Sequence, residues 1–218
     1  REPPPGRDHA VQLKIDGWRV GATILDSKVR LQSRHRNDLT RRFPRLVEAL
    51  RQLPVESLLV DGEVAVLRPD GRASFQALQN ARPETPVVYF VFDLLHLDGE
   101  NIAVLPLGQR LERLRTLLSS SVVEPRVIKF TDYIVGEAPR VLEEACRLGA
   151  EGVIVKRLGA PYQPGRNRSW LKIKCPRRSA FVVGGTPIPA ATAPAWARCW
   201  SVTTRPTVAG CGTRATSV

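Results

Sequence analysis

Short apolar runs of alternating pattern, broken repeatedly by Asp-Gly, leave this chain little choice but to build sheets. Asp-Gly stands at 16–17, 61–62, 70–71 and 98–99. Around the first, Val11-Gln12-Leu13 leads in and Val20-Gly21-Ala22-Thr23-Ile24-Leu25 leads out. Two strands joined by a tight turn are predicted there, a turn that would hold Lys14 as a fixed amine. Residues 28–33 alternate again and predict a third strand, ending in the basic loop Ser33-Arg34-His35-Arg36-Asn37-Asp38. Residues 57–67 predict a strand interrupted at Asp61-Gly62-Glu63. Residues 87–97, apolar apart from Asp93, predict a strand buried on both faces. Further strands are predicted over 122–130, 151–156, 169–174 and 181–185. In 169–174 the alternation puts Trp170, Lys172 and Lys174 on one face.

Helical spacing is confined to a few segments. Residues 43–53 place Phe43, Leu46, Val47, Leu50 and Leu53 on one face, with Pro44 suited to the first turn. Residues 106–118 and 137–148 predict two more helices, the second ended by Gly149, and Ser74 is suited to cap a short helix running to Asn80. Strands outnumber helices, so the expected class is α+β, mostly antiparallel sheets flanked by helices.

Charge narrows the partners. Across 218 residues the net charge is +12 and the isoelectric point about 10.4, which points to a polyanion, most often nucleic acid. No apolar run is long enough to span a membrane, and no charged-then-apolar leader opens the chain. Cys146, Cys175, Cys199 and Cys211 form no C-x-x-C pair, so neither a zinc site nor a disulfide framework is expected, and Cys146 and Cys175 are expected to be inert. A reducing cytoplasm fits that spacing. Residues 1–9 read as a Pro-rich linker, and a chain that lacks Met and opens with Arg1 is expected to be an excised piece.

The chemistry sits in charges placed inside or at the ends of apolar strands: Lys14, Glu63, Asp93, Glu151, Lys156, Lys172 and Lys174. Such charges are costly unless they pair or bind something. Lysines that neutralise phosphate oxygens and carboxylates that hold a metal suit a nucleoside triphosphate with magnesium. A lysine crowded by cations becomes a nucleophile at neutral pH. Taken singly, each residue also fits a plain role: Lys14 a solvated hairpin lysine, Glu151 and Lys156 sheet-end charges, Phe92 simple core.

The order of these pieces carries a resemblance. Lys14-Ile15-Asp16-Gly17-Trp18-Arg19, Ser33-Arg34, Asp61-Gly62-Glu63, Phe92-Asp93-Leu94-Leu95, Glu151-Gly152-Val153-Ile154-Val155-Lys156 and Trp170-Leu171-Lys172-Ile173-Lys174 follow one another. Phe75-Gln76-Ala77-Leu78-Gln79 and Tyr162-Gln163-Pro164-Gly165-Arg166 connect them. Together they resemble the adenylation (nucleotidyltransferase) domain of ATP-dependent DNA ligases, in particular the ligase module of bacterial end-joining ligases. The resemblance implies an ATP-grasp-like nucleotidyltransferase fold over residues 10–185. It implies that Lys14 attacks the α-phosphate of ATP and carries AMP. Arg19 and Glu63 would hold the ribose or phosphate side, Arg34 would contact phosphate, and Phe92 would stack on adenine. Lys156, Arg166, Lys172 and Lys174 would neutralise the triphosphate, while Glu63 and Glu151 would hold Mg2+ or Mn2+. The family passes AMP to a 5′-phosphate in nicked double-stranded DNA. A monomer, end-joining repair partners and a place at the bacterial nucleoid are the corresponding expectations.

Two departures stand out. The family usually has glutamate two residues before the nucleophile, where this chain has Gln12, whose amide oxygen still accepts a hydrogen bond from adenine's amino group. After Gly185 the family continues into an OB-fold, but residues 186–218 contain no Asp, Glu or Lys and no strand alternation. A shifted reading frame is expected there, with a natural low-complexity, disordered tail as the rival, and nick sealing by this chain alone is not expected. The alternatives are an RNA ligase or capping guanylyltransferase, which share the lysine motif, and a non-catalytic basic DNA-binding remnant.

Overall fold

The computed structural model describes residues 4, 6–121, 124, 126–165 and 167–176. The strand expected over 181–185, the tail at 186–218, Arg166 and residues 1–3 and 5 of the N-terminal linker lie outside them. Cys199 and Cys211 do too.

Two sheets carry the fold. The first has four strands in the order β10-β9-β1-β8, and the second has six, in the order β3-β2-β4-β5-β6 with β7 also pairing with β5. Their ranges are β1 His9–Leu13, β2 Trp18–Leu25, β3 Lys28–Ser33, β4 Ser57–Ala65, β5 Val88–Leu97 and β6 Glu100–Asn101, then β7 Ile128–Phe130, β8 Tyr133–Val135, β9 Gly152–Arg157 and β10 Trp170–Lys174. The helices are α1 Pro44–Arg51, α2 Phe75–Gln79, α3 Leu107–Ser120 and α4 Ala138–Arg147. Every strand pair is antiparallel except β5 with β7. The α+β architecture is as expected.

The hairpin expected at Asp16-Gly17 does not form. β1 pairs with β8 and β9, whereas β2 pairs with β3 and β4, so residues 14–17 cross from one sheet to the other. Gly17 lacks the positive φ that a two-residue hairpin turn of that type needs. It serves close approach instead: a Cβ there would lie 2.2 Å from the Val64 carbonyl oxygen. Lys14 is therefore carried into the space between the sheets. The interruption expected in β4 is a pair of slips within a continuous strand, where β5 contributes one extra residue at Leu95 and another at Phe92. Gly62 lets β4 lie against Tyr89, since a Cβ would meet that ring at 2.4 Å.

The main core joins α1 to β2, β4 and β5 through Val20, Leu46, Leu50, Leu58, Val60 and Tyr89. A second core packs α4 on the first sheet through Val11, Ala138, Ala145, Val153, Val155 and Ile173. Val91 to Leu94 are all buried, as expected of the apolar run. Ser74 caps α2 by accepting from the Ala77 amide at 3.3 Å. Of the strand expected over 122–130, the described residues form β7 at its end, and 122, 123 and 125 lie outside them. The three-residue β8 and two-residue β6 were not predicted, because so short an alternation carries no periodic signal.

Asp93, expected to face the cleft, instead meets Arg110 of α3. The guanidinium Nε and Nη2 donate to the two carboxylate oxygens at 2.8 and 2.9 Å, and both side chains are fully buried. Its Nη1 also donates to the Leu105 and Ala160 carbonyls at 2.6 and 3.0 Å.

The cysteine expectation is also corrected: Cys146 and Cys175 form a disulfide across 29 residues. Local spacing cannot show a pair that is assembled only when α4 packs beside the end of β10. The bridge closes the segment that carries Glu151, Lys156, Lys172 and Lys174. A loop of that length is worth about 2–4 kcal/mol to the folded state. Reduction by a dithiol, or Cys146→Ser, is expected to lower the unfolding free energy by that amount in urea melts. Identical melts with and without reductant would contradict the pairing. Disulfides persist in oxidising compartments, so in a reducing cytoplasm the pair would stand as two thiols.

Candidate active site

The crossover after β1 places Lys14 beside β9. Its amide donates to the Gly152 carbonyl at 2.9 Å, and its Nζ bonds directly to the Glu151 carboxylate. Lys174 Nζ reaches the other Glu151 oxygen at 3.2 Å, and the Cys175 amide holds the Glu151 carbonyl at 3.0 Å. Glu151 is thus clamped between two lysines. Burial works to raise its carboxyl, but bonds and charges from Lys14 and Lys174 overcome that and hold it below the ordinary range. Lys14 and Glu151 line a cavity of about 350 Å³ together with Phe90, Phe130 and Thr131.

Gln12 of β1, two residues before Lys14, is buried and donates from Nε2 to the Thr131 carbonyl at 2.9 Å. That bond sets the sense of the amide and leaves Oε1 as its free acceptor. Glu63 feels Lys14, Lys172 and Arg19, yet burial outweighs them and pushes its carboxyl up to about 7. Lys172 is pushed down by burial and by the charges of Lys14 and Arg19.

A second, larger cavity of about 880 Å³ is lined by Arg19, Arg34, Asp61, Tyr162, Trp170 and Lys172, among others. Here Arg19 is held by Asp61, which accepts from its Nε at 3.0 and 3.2 Å, and by Tyr162, whose hydroxyl lies 3.4 Å from both. The guanidinium lies 5.7 Å from the Phe92 ring centre and 5.4 Å from that of Trp170. Burial opposes its charge, but the bond and charge of Asp61 win and raise its pKa.

The structure therefore gathers Gln12, Lys14, Arg19, Glu63, Phe92, Glu151, Lys156, Lys172 and Lys174 along the two facing sheets, with Arg34 on the wall of the larger cavity. Phe92 packs edge-on against Trp170 at 5.7 Å and lines neither cavity, whereas Phe90 lines the one that holds Lys14. Asp61, Tyr162, Phe90 and Thr131 are the site residues that sequence reasoning did not single out. Asp61 and Tyr162 stood without a role of their own in Asp61-Gly62-Glu63 and Tyr162-Gln163-Pro164-Gly165-Arg166, whereas Phe90 and Thr131 carried no signal.

Comparison with known proteins agrees with this arrangement. A family profile described as "ATP dependent DNA ligase domain" matches residues 4–174. The Multifunctional non-homologous end joining protein LigD of Pseudomonas aeruginosa is 40% identical over 187 residues, covering 84% of this chain and 22% of that protein. A probable DNA ligase of Sorangium cellulosum is 39% identical over 189 residues, covering 81% of this chain and 35% of that protein. This chain thus spans between about a fifth and a third of these curated relatives' length. Among solved structures, the ligase domain of M. tuberculosis LigD superposes with a TM-score of 0.69 at 33% identity, over 76% of this chain and 54% of that one. A mycobacterial DNA ligase D complexed with ATP and MES gives 0.69 at 30% identity, over 78% and 58%. With a profile spanning most of its length and a lysine-bearing cleft of this kind between two sheets, the chain belongs to the ATP-dependent DNA ligase domain family.

Proposed function

We propose that this chain is an adenylation domain that binds ATP between its two sheets and takes AMP onto Lys14. The observation that carries the reading is the clamp at Glu151, which fixes Lys14 at the edge of a nucleotide-sized cavity. Glu151 holds the Lys14 ammonium in the free chain. Once deprotonated, Nζ forms a bond to the α-phosphorus while the bond to the β-phosphate oxygen breaks, so pyrophosphate leaves and a phosphoramidate remains. Lys172, Lys174, Arg34 and Arg166 neutralise the phosphates, and Arg19, steered by Asp61, faces the ribose or phosphate side. Phe90, rather than the Phe92 that the resemblance implied, supplies the aromatic wall for the base. Catalysis of this kind is mostly positioning and charge stabilisation.

Glu63 and Glu151 are the ligands proposed for magnesium. Among the described residues no group of three or more His, Cys, Asp or Glu could hold a metal. That fits an ion kept by one or two carboxylates together with phosphate oxygens and water. When bound, it neutralises charge on the phosphate oxygens. The substrate we infer for the later steps is a 5′-phosphate in nicked DNA, in end joining, within the cytoplasm. The net charge of +12 supports a nucleic-acid partner. No helix among the described residues is long and apolar enough to cross a membrane.

Gln12 predicts the base. With Nε2 committed to Thr131, its free oxygen accepts the amino group of adenine, and guanine would present an oxygen in that place. Incubation with α-labelled ATP or GTP and magnesium is expected to label the protein with ATP at least about tenfold faster, the equivalent of one hydrogen bond. Equal labelling by GTP would favour the capping-type reading.

A further inference from the structure

Lys156 and Lys174 line neither cavity, but Lys174 is exposed whereas Lys156 is buried. Lys156 is fully buried on β9, with its side chain directed at the facing sheet. There it meets a defect in the ladder. β4 pairs Asp61 with Asp93 and Gly62 with Val91, so Phe92 is the extra residue of a bulge and has no partner across β4. A buried carbonyl freed in this way needs a donor, and Lys156 Nζ donates to the Phe92 carbonyl at 3.1 Å. The same nitrogen lies 4.2 Å from the Phe92 ring centre and 4.0 Å from that of Trp170. Arg19 lies near the same two rings.

We propose that Lys156 is a positioning residue rather than a phosphate ligand: a strut between the two sheets that holds the bulge at Phe92 and thereby sets Arg19. This departs from the role that the family resemblance implies for the lysine. It rests on the adenylation reading only where a reaction rate is measured.

The charges around the strut support its titration near neutrality. Burial is the largest influence and pushes the amine down to about 7; Asp93 of β5 and Asp61 of β4 oppose it, and Arg19 of β2 and Arg110 of α3 add to it. A neutral amine still donates to the Phe92 carbonyl, so the strut survives deprotonation. Below about 7 the lysine is charged whether the chain is folded or not. Between about 7 and its ordinary 10.5 the folded chain holds a neutral amine while the unfolded chain still binds the proton. The unfolded state then binds more protons, so stability rises with pH through that window. Lys172 is shifted in the same direction, so the contribution of Lys156 is read as the difference between wild type and variant.

The test uses the full chain as wild type, Lys156→Met and Lys156→Arg. Urea unfolding from pH 6 to 10 is expected to show a rise in stability above pH 7 in wild type that is reduced in Lys156→Met. ATP affinity of Lys156→Met should stay within about threefold of wild type, while labelling by ATP slows about ten- to a hundredfold through misplacement of Arg19. Lys156→Arg should not restore the rate, because a guanidinium stays charged at every pH tested and is larger. Independently of any variant or ligand, NMR of lysine-labelled wild type should show one side chain titrating near 7 with contacts to aromatic protons. All lysines titrating near 10, or a Lys156→Met affinity loss of tenfold or more that Lys156→Arg repairs, would overturn the proposal. Wild type that titrates as expected yet takes no label would leave the strut standing and refute the adenylation reading instead.

Discussion

Arg110→Ala is expected to destabilise the chain by about 3–5 kcal/mol, because it leaves the Asp93 carboxylate buried without a partner. Domains of ordinary size have only about 5–15 kcal/mol in hand, so this one change removes much of the stability. The loss goes beyond the ion pair. Arg110 also donates to the Leu105 carbonyl before α3 and to the Ala160 carbonyl after β9, the latter shared with the Leu107 amide. The latter segment leads to Tyr162, whose amide donates to the Ala103 carbonyl at 2.9 Å. One guanidinium thus ties the middle of β5 to the loop that reaches Asp61 and Arg19. Replacing both charges by apolar groups of similar size, as Asp93→Leu with Arg110→Met, should cost clearly less than Arg110→Ala, since no charge is then stranded. Urea unfolding of the single and double variants decides this. A shift below about 1 kcal/mol for Arg110→Ala would mean that Asp93 finds another partner or water.

That pair also shows where sequence reading reaches and where it stops. Asp93 in an apolar run was visibly costly, and the expectation that it must pair or bind something holds, although not the one that placed it in the cleft. Its partner lies in a helix whose other members are ordinary amphipathic residues, so nothing along the chain marked Arg110. The strands themselves were legible, because alternation and apolar length are local. The two-sheet arrangement was not, since Asp-Gly at 16–17 has the composition of a hairpin turn, and only the Val64 carbonyl pressing on Gly17 shows its other use. The disulfide was hidden for the same reason. Lys14, Glu151 and Lys174 were recognised from motif order, whereas the holding of Arg19 by Asp61 and Tyr162 depends on a loop that closes over the sheet from 101 residues away.

The adenylation reading stands or falls on one side chain. Lys14 has a neighbouring carboxylate, a cavity and a face of cations, and it is the amine proposed to take the nucleotide. Lys14→Ala also frees Glu151 from one of its two lysines, but Lys174 remains bonded to it, so the fold should persist and the melt should change little. The decisive measurement is incubation of folded wild type and Lys14→Ala with α-labelled ATP and magnesium, followed by denaturing electrophoresis and mapping of the labelled peptide. Label on wild type at Lys14, released by acid as a phosphoramidate and absent from the variant, is the predicted result. A wild type that takes no label, or a variant that keeps it, would contradict the account.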